Sequence, residues 1–427
     1  MQTFHRWVGV ALVVVMTTGL IGCDLTSILG FGEPPIQVVQ SSQPRDTSPD
    51  VPSEDLDALV AGNTDFSLAL YRTLIEESDN LFYSPLSISL ALAMTYGGAR
   101  GETATAMAEA MRFALPDERL HPAFNALDLS LRNRGANPEE FELHIANATW
   151  GQQDYDFLAS YLDLLAINYG AAMRLLDFVN APDPSRQIIN RWVEDQTNDR
   201  IQDLLPPMSI TPMTVLVLTN AIYFNAEWQI PFPPESTVDG EFTQLDGTVV
   251  EVPTMRETMT VPYASGNGYQ AIELPYRMDD FAMLILLPDA GRYEAFEGAL
   301  TTEQLSGILD DLSPEQMALT LPKFSFTSEF NLNDALKALG MGIAFTGDAD
   351  LSGMDGTRDL FISDVVHQAF VAVDEEGTEA AAATGVVVGR TSMPTLEVRV
   401  DRPFIFAIRD RVTGSLLFVG RVLDPSG

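Results

Sequence analysis

Apolar residues in the first half of the chain recur at helical spacing. The stretch Asp65–Glu77 (DFSLALYRTLIEE) places them three and four residues apart, as on one face of an amphipathic helix. Ser84–Ser87 (SPLS) combines a capping residue with a proline, which is a helix-start signal, and the apolar pattern that follows is closed by a glycine pair, Gly97-Gly98. A further amphipathic helix is predicted over Ser185–Leu205.

The second half of the chain carries continuous apolar runs instead. Thr214–Tyr223 (TVLVLTNAIY) is rich in β-branched residues and almost wholly apolar, as in a strand that is buried on both faces. Similar strands are predicted at Phe281–Leu287, Phe361–Val373, Phe404–Arg409 and Ser415–Val422. Helices followed by strands predict an α+β fold in which helices pack on large mixed or antiparallel sheets.

The N-terminus has the pattern of an export signal. Arg6 precedes a thirteen-residue apolar run, Val8–Leu20, which is too short to span a bilayer comfortably. Leu20–Cys23 (LIGC) resembles a bacterial lipobox, which implies that residues 1–22 are removed and that Cys23 is lipidated. The alternative is a plain signal or anchor helix with an incidental cysteine. Because Cys23 is the only cysteine, no disulfide can form within the chain.

Residues 23–57 are predicted to be a disordered tether. Prolines stand at positions 34, 35, 44, 49 and 52 among polar residues, and such a composition buries too little apolar surface to fold. A coil of this length spans roughly 30 Å. Residues 58–427 are then a single folded domain, which we expect to be a monomer held near the membrane on the extracytoplasmic side of a bacterial envelope, in the periplasm or at the cell surface.

The charge and the chemistry-bearing residues exclude several functions. The chain has 60 acidic and 24 basic residues, a net charge of -36, which repels nucleic acid. Basic residues near positions 112–134 are scattered among acids, so a heparin-binding helix is not expected. Four histidines and one cysteine provide no zinc or Cys–His site, and hydrolase and nucleotide-binding motifs are missing from the sequence. Asp348–Asp359 resembles a calcium loop but ends in Asp instead of the bidentate Glu. We therefore expect that the protein is not an enzyme and that it binds no cofactor or metal.

One segment is ambiguous between loop and strand. Asp374–Thr384 reads DEEGTEAAAAT and is followed by Gly385 and the valines at positions 386–388. Alanine favours helices, whereas the glycine and the β-branched valines oppose helix continuation. Because its side chains are small, this segment can be an exposed loop or a strand inserted into a sheet. We call it the hinge, and its residues are Glu375, Glu376, Gly377, Thr378, Glu379, Ala380, Ala381, Ala382, Ala383 and Thr384.

The hinge and several other segments, in order and spacing, resemble the serpins, which inhibit serine proteases by loop insertion. The matching segments are 80–103 (NLFYSPLSISLALAMTYGGARGET), 141–150 (FELHIANATW), 189–206 (INRWVEDQTNDRIQDLLP), 216–228 (LVLTNAIYFNAEW), 349–354 (ADLSGM), 366–384 (VHQAFVAVDEEGTEAAAAT) and 401–425 (DRPFIFAIRDRVTGSLLFVGRVLDP). The resemblance implies helices on three mixed or antiparallel sheets with an exposed reactive-centre loop. It also implies irreversible inhibition: a protease cuts the loop, stays bound as an acyl-enzyme, and the freed loop becomes a new strand of the main sheet.

The resemblance assigns roles to residues outside the hinge. Ser84, Ser87, Asn220 and His367 match the polar cluster under the point where the sheet opens, here called the shutter. Trp228, Lys323 and Glu375 match the end at which the loop enters, here called the breach, with an expected ion pair between Lys323 and Glu375. Considered without the family, His367 would be a hydrogen-bonded core histidine.

The bond that a protease would cut has two candidates. The usual family spacing of sixteen residues beyond Glu375 reaches Thr391, followed by Ser392, and Arg390 stands one position earlier. Cleavage of Arg390–Thr391 implies trypsin-like targets, and cleavage of Thr391–Ser392 implies elastase-like or subtilisin-like targets. The alternative function is that of a non-inhibitory binding or surface protein with a serpin fold.

Overall fold

The computed structural model of this chain describes residues 36–75, 80–134, 141–378 and 396–426. The predicted signal peptide (1–22) and Cys23 lie outside the described residues. So do the hinge residues from Glu379 to Thr384 and the candidate cleavage-site residues Arg390, Thr391 and Ser392. Among the residues that are described, no helix combines the length and the apolar character that crossing a bilayer requires.

The helices are concentrated in the first half of the chain, as the sequence predicts. They are α1 (Ser53–Leu74), α2 (Pro85–Tyr96), α3 (Gly101–Met111), α4 (Asp117–Arg134), α5 (Ala159–Tyr169), α6 (Pro182–Gln196), α7 (Tyr293–Ala299), α8 (Thr302–Asp310), α9 (Asn333–Leu336) and α10 (Ser352–Asp355). The predicted helix over Ser185–Leu205 ends early, at Gln196. Asn198 and Asp199 adopt left-handed backbone conformations there (φ 51° and 61°), which these two residue types tolerate better than most and which stop a helix.

The strands carry most of the second half. They are β1 (Gln37–Val39), β2 (Leu81–Tyr83), β3 (Phe141–Gln152), β4 (Met173–Leu176), β5 (Leu216–Glu227), β6 (Val238–Thr243), β7 (Val249–Gly266), β8 (Tyr269–Pro275), β9 (Phe281–Pro288), β10 (Ser313–Pro322), β11 (Phe324–Asn331), β12 (Asp364–Val373), β13 (Gly377–Thr378), β14 (Leu396–Arg399), β15 (Phe404–Asp410) and β16 (Leu416–Val422).

The strands form two hydrogen-bonded sheets in the described part of the chain. One has seven strands in the order β1-β4-β3-β5-β13-β12-β11, and the other has nine, in the order β14-β10-β7-β8-β9-β15-β16-β2, with β6 on β7. The α+β fold is confirmed, but the expected three sheets are joined into two. The cause is the 18-residue strand β7, which pairs with β6 and β10 along most of its length and with β8 at its end.

The main core lies between the two sheets and around α2. Every residue of α2 is buried, which suits a helix that is apolar on all sides. Ser84 caps this helix by accepting a hydrogen bond from the Ser87 amide, and Pro85 occupies the first turn, where no intrahelical donor is lost. The ring of Phe224 from the seven-stranded sheet meets that of Phe418 from the other sheet at 5.7 Å.

A second, smaller core lies on the opposite face of the seven-stranded sheet. There α6 crosses the sheet and packs Ile188, Ile189 and Val193 against buried residues of β3, β4 and β5, among them Trp150. The Arg174 guanidinium lies 4.7 Å from the ring centre of Trp192 and 5.7 Å from that of Trp150, so a cation–π contact adds to the apolar packing. The helix therefore covers this face of the seven-stranded sheet.

The prediction of a disordered tether is wrong for residues 36–57. Strand β1 belongs to this segment and pairs with β4, and helix α1 begins at Ser53, before the predicted start of the domain at residue 58. Asp55 at the start of α1 is buried and forms an ion pair with Arg119 of α4. A local composition that cannot fold alone is ordered here because partners distant in sequence supply its hydrogen bonds.

Candidate functional site at the fork of the seven-stranded sheet

The seven-stranded sheet divides between β5 and β12. Along one half of their length these strands pair directly and in parallel, from Asp364 opposite Val217 to Ala369 opposite Ile222. Along the other half β13 lies between them, with Thr378 opposite both Val373 of β12 and Ala226 of β5. The chain leaves β12, reverses at residues 374–376 and re-enters the same sheet. The first two strand residues of the hinge thus already occupy a gap in the sheet; we call the division the fork.

Asp374 organises the reversal of the chain. Its carboxylate Oδ1 accepts hydrogen bonds from the backbone N–H groups of Glu376 (2.9 Å) and Gly377 (3.3 Å). Its own N–H donates to the Gly377 carbonyl at 3.0 Å. An aspartate that binds the backbone two and three residues ahead is a recognised turn former. The sequence analysis gave Asp374 no role, although the spacing Asp-x-x-Gly was a visible turn signal.

Gly377 is required for close approach to β5. A Cβ atom at this position would lie 2.0 Å from the carbonyl oxygen of Ala226, which no side chain can occupy. The property of Gly377 that matters in the structure is therefore its missing side chain. The next residue, Thr378, is buried, and its hydroxyl forms a 2.7 Å hydrogen bond with the hydroxyl of Tyr276. Thr378 therefore points into the core between the sheets.

Trp228 anchors the reversal from the other side of the fork. Its backbone N–H donates to the Glu376 carbonyl at 2.8 Å, and its indole N–H donates to the Asp374 carbonyl at 3.0 Å. The indole stacks on the ring of Tyr276 with 4.7 Å between ring centres and 7° between planes. Trp228 thus satisfies two carbonyls of the hinge turn while its ring fills the core beneath. Tyr276, which contacts both Trp228 and Thr378, was not predicted.

The expected ion pair of the breach is present in the structure. Lys323 Nζ donates to Glu375 Oε2 at 2.6 Å, and the other carboxylate oxygen accepts a hydrogen bond from Thr237 Oγ1 at 2.7 Å. Partial burial by itself would raise the pKa of Glu375, but the hydrogen bonds from Lys323 and Thr237 outweigh burial and the pKa is lowered. The backbone carbonyl of Glu375 also accepts from the Phe232 N–H at 2.8 Å. The entry turn is therefore held by side chain and backbone alike.

The shutter residues meet where β5 and β12 still pair. His367 and Asn220 are directly opposite each other in the sheet and are hydrogen-bonded through their side chains. Asn220 donates to Ser87 Oγ on α2, and Ser87 Oγ donates to Asn147 Oδ1 at 3.0 Å. Ser84 accepts from the Ser87 N–H at 3.2 Å and donates to the Leu417 carbonyl at 2.7 Å. All four predicted shutter residues are fully buried and belong to one network.

Asn147 is a member of this network that the sequence analysis missed. It lies on β3 opposite Asn220, accepts hydrogen bonds from both Asn220 and Ser87, and donates from Nδ2 to the Ser87 carbonyl at 3.1 Å. Its neighbours in the sequence, Ala146 and Ala148, gave no signal of a polar contact. The one indication in the sequence was an asparagine within FELHIANATW, a segment that matches the family.

The hydrogen bonds of His367 define its protonation. The backbone N–H of Ser84 donates to Nε2 at 3.1 Å, so Nε2 carries no proton, and Nδ1–H is left to donate to the Asn220 amide oxygen. Burial lowers the pKa of His367 to about 3. The shutter therefore consists of neutral groups whose hydrogen bonds can be exchanged without separating charges.

The breach and the shutter are two parts of one fork. Six residues separate them on each strand, from Asn220 to Ala226 on β5 and from His367 to Val373 on β12, which is roughly 20 Å. The breach holds the entering chain and the shutter holds the strands that are still paired. Among the described residues no group of three or more His, Cys, Asp or Glu side chains is placed to bind a metal.

Acidification below pH 6.5 is expected to destabilise the protein through His367. The unfolded chain protonates this histidine near pH 6.5, whereas the folded chain does not until about pH 3. The unfolded state then binds more protons, so the free energy of unfolding falls with pH, by up to about 1.4 kcal/mol per pH unit for each such histidine. Urea denaturation between pH 7.5 and 5 measures this slope, and His367→Gln should reduce it.

His121 provides the comparison for this experiment, because burial lowers its pKa to about 4 with the same sign. His121→Gln should remove a similar share of the slope at a site distant from the fork in sequence. A His367→Gln variant whose pH slope equals that of the unsubstituted protein would show that the histidine is not held neutral in the folded state.

Removing the ammonium group of the breach is expected to loosen the hinge turn. Lys323→Met keeps the aliphatic stem but leaves Glu375 with only Thr237 as a side-chain partner. Because the Lys323 side chain is 35% exposed, the loss should be under about 1 kcal/mol, which corresponds to a hydrogen-exchange rate at most about fivefold faster. The amides to follow are those of Trp228 and Phe232, which donate to the carbonyls of the turn.

The only other lysine of the chain is a matched control. Lys337 pairs with Asp334 at 3.0 Å at the surface, and Lys337→Met should leave the Trp228 and Phe232 amides unchanged. Equal effects of the two substitutions, or none from Lys323→Met, would mean that the ion pair does not hold the turn.

Comparison with known proteins agrees with this geometry. Residues 61–425 match the family model described as serpin (serine protease inhibitor). An uncharacterized serpin-like protein of Thermococcus kodakarensis is 38% identical over 97% of this chain and 98% of its own length. The leukocyte elastase inhibitor of Bos taurus is 38% identical over 87% of this chain and its whole length. The crystal structure of a thermophilic serpin, tengpin, in the native state superimposes with a TM-score of 0.81 at 30% identity, covering 91% of this chain and all of tengpin. On these grounds, and with the fork and its two residue clusters in place, the chain belongs to the serpin family.

Proposed function

We propose that this protein is a suicide-substrate inhibitor of serine proteases whose loop, once cut, enters the seven-stranded sheet between β5 and β12. The observation that carries the proposal is β13, since the hinge has already entered the fork and is hydrogen-bonded on both sides. Members of the serpin family are generally protease inhibitors, and a relative named leukocyte elastase inhibitor supports a serine protease as the target.

The register of β13 predicts where each hinge residue would lie after insertion. Thr378 is opposite Val373 and Ala226, and each further residue moves one step toward the shutter on both strands. Continuing this register places Ala380 opposite Val371 and Phe224, and Ala382 opposite Ala369 and Ile222. Thr384 then arrives opposite His367 and Asn220. Insertion would replace the direct parallel pairing of β5 and β12 with antiparallel pairing on both sides of the new strand, which is slightly more stable per residue.

The side chains of the hinge suit the two faces of that strand. Residues with the parity of Thr378 would face the core between the sheets, where Thr378 itself is buried. They are Ala380, Ala382, Thr384, Val386 and Val388, all of them uncharged. Glu379, the only charged residue from 377 to 388, would face the opposite side. A charge on the core face would be buried without a partner, at a cost of several kcal/mol.

The shutter would have to break its His367–Asn220 hydrogen bond for the strand to pass. Thr384 would bring a hydroxyl to that position. The side chains of His367 and Asn220 would then each have a partner that can both donate and accept a hydrogen bond. Because His367 is neutral, no ion has to be desolvated during the exchange. The polar cluster thus permits opening at a point where apolar packing alone would offer no replacement for the lost contacts.

The uncut chain is prevented from completing the insertion by its attachment to β14. Insertion as far as Val388 would carry that residue ten positions, about 33 Å, from Thr378. The chain beyond Val388 would still have to return to Leu396, which is paired with Met317 of β10 in the other sheet, and the eight steps between Val388 and Leu396 reach at most about 29 Å. Cleavage within the loop removes this restraint. The hinge would therefore gain further pairing with β5 and β12 only after the loop has been cut.

We also propose that the protein acts outside the cytoplasm, held at a bacterial membrane by lipid on Cys23. The support is the apolar N-terminal run and its LIGC ending.

Incubation with trypsin, elastase or subtilisin should produce an SDS-stable complex with at least one of them, because the acyl-enzyme is trapped by insertion. Nicked protein should unfold about 10 °C or more above intact protein, since several hydrogen bonds worth about 1 kcal/mol each are added. Gel electrophoresis and calorimetry measure the two effects. Loop cleavage without a complex, together with equal unfolding temperatures, would favour the non-inhibitory alternative.

Two adjacent substitutions make this experiment specific to the proposed register. Ala382→Arg would place a guanidinium on the core face between Ala369 and Ile222, both of which are buried. It should convert the protein from inhibitor to substrate, with cleavage but little complex. Ala381→Arg is the matched control on the other face, opposite the less buried Phe370, and should retain complex formation. The reverse result would place the inserted strand out of this register.

The position of the cut should depend on the protease. Trypsin is expected to release a fragment ending at Arg390, because its pocket binds a guanidinium, and an elastase-like or subtilisin-like enzyme is expected to cut after Thr391. Mass spectrometry of the fragments distinguishes the two bonds. Arg390→Ala should abolish complex formation with trypsin and leave that with elastase or subtilisin. Cleavage at neither bond would show that the inferred loop spacing is wrong.

A further inference from the structure

The segment before α1 is attached to the open edge of the seven-stranded sheet. Strand β1 pairs antiparallel with β4, with Gln37 opposite Leu175, Val38 opposite Arg174 and Val39 opposite Met173. It is the outermost strand on this side of the sheet. Val39 also packs against the main core, whereas Val38 is exposed. The sheet edge is therefore covered by a three-residue strand from a segment whose composition predicts disorder.

Arg45 fixes the segment beyond β1 to helix α4. Its Nε donates to Asn125 Oδ1 at 2.8 Å, and its Nη2 donates to Asp128 Oδ2 at 2.7 Å. The side chain of Arg45 is 18% exposed, that of Asp128 is 7% exposed, and Asn125 is fully buried. Charge-assisted hydrogen bonds to buried acceptors are among the stronger polar contacts in proteins.

The backbone next to Arg45 is bound as well. The Asp46 N–H donates to the Ile167 carbonyl of α5 at 2.9 Å, and the Asp46 carbonyl accepts from Asn125 Nδ2 at 2.7 Å. Asn125 therefore uses its oxygen for the side chain of Arg45 and its nitrogen for the adjacent backbone. Ser41 is hydrogen-bonded to Asp163 of α5. Residues of β4, α4 and α5 together form a groove that binds both the side chains and the main chain of this segment.

The charges of segment and groove are complementary. Arg45 is the only Lys or Arg between Cys23 and the end of the predicted tether at Asp57, in a chain with 60 acidic residues. It reaches Asp128, which also binds Arg132 of the same helix at 2.8 Å. A segment that docked only through apolar contact would not need a guanidinium where the buried Asn125 amide and the buried Asp128 carboxylate meet.

The edge that β1 covers would otherwise be open to strand addition. Met173 and Leu175 of β4 are buried and apolar, and without β1 their N–H and C=O groups would face this edge with no partner strand. An apolar strand with an unpaired edge is a template for pairing with another chain. The edge that β1 leaves is one residue shorter than β4 and begins with the polar Gln37, and very short edge strands are one way in which proteins blunt an open edge.

We propose that residues 36–48 are an edge clasp, a peptide of the chain itself docked in the groove of β4, α4 and α5. The clasp closes this edge of the sheet against strand addition by a second copy of the protein. Arg45 is its main anchor. The inference does not depend on inhibition, because it concerns the outer edge of the sheet and not the fork.

Hydrogen exchange on the full chain tests the docking. In the unsubstituted protein the amides of Val39 and Asp46 should exchange at least about tenfold more slowly than in a free peptide of residues 36–48. Arg45→Ala should raise their exchange roughly tenfold or more and Arg45→Lys should raise it less, because a lysine keeps the charge but cannot bind Asn125 and Asp128 together. Arg399→Ala, at a guanidinium that is 64% exposed and paired with Glu397, should change nothing. Free-peptide rates in the unsubstituted protein would overturn the proposal.

Light scattering tests the closing of the edge. Arg45→Ala should form oligomers as its concentration rises, while the unsubstituted protein and Arg399→Ala stay monomeric. A synthetic peptide of residues 36–48 added to Arg45→Ala should reduce the oligomers, and the same peptide with alanine at position 45 should not. If Arg45→Ala exposes the segment and yet stays monomeric at every concentration, the clasp does not guard the edge and the proposal fails. Docked rates for Val39 and Asp46 in Arg45→Ala would likewise remove Arg45 as the anchor.

Discussion

The proposed function depends on the pairing of β5 with β12, because these two strands would have to hold the sheet closed until the loop is cut and then part. Over Asp364–Ala369 they are bonded directly, and beyond it they are already separated by β13. Helices α2 and α6 lie on opposite faces of the sheet near this point, so any widening of the fork is opposed by packing on both sides. The fork is therefore an arrangement of strands, with the breach where β13 lies between them and the shutter where they pair directly.

The breach and the shutter use different kinds of polar contact, and the difference follows from their exposure to water. The breach uses a partly exposed ion pair and backbone hydrogen bonds, which hold the entering turn while water remains near. The shutter is fully buried and uses neutral amide, hydroxyl and imidazole groups in a closed network. A charged pair at the shutter would resist opening, because separating buried charges costs several kcal/mol. Neutral partners keep the cost of each broken hydrogen bond near 1 kcal/mol when a replacement arrives.

Much of this could be predicted from the sequence, because the decisive signals are local. The SPLS start of α2, the apolar run of β5 and Gly377 at the start of the hinge each reflect the surroundings that the structure shows for them. Asn147, Asp374 and Tyr276 were missed, since their roles depend on partners 60 to more than 100 residues away or on a turn whose importance is visible only in the sheet. Residues 36–57 were misjudged for the same reason, because composition measures what a segment can bury alone and takes no account of a prepared groove.

If the proposed insertion takes place, a sheet that accepts a strand in its middle also has to exclude strands from its edges. Both situations offer unpaired backbone groups to an extended peptide, so the fold must make the central gap the favoured site. At one edge β1 covers β4 with a short strand anchored by Arg45. At the other edge β11 alternates buried and exposed positions and presents Glu329 to solvent, a charge that disfavours a further strand. In the centre, by contrast, Gly377 has no side chain that could collide with β5. The hinge residues that would be buried after insertion are uncharged. Gly377, Arg45 and Glu329 would thus together favour pairing of an added strand at the fork over pairing at the sheet edges.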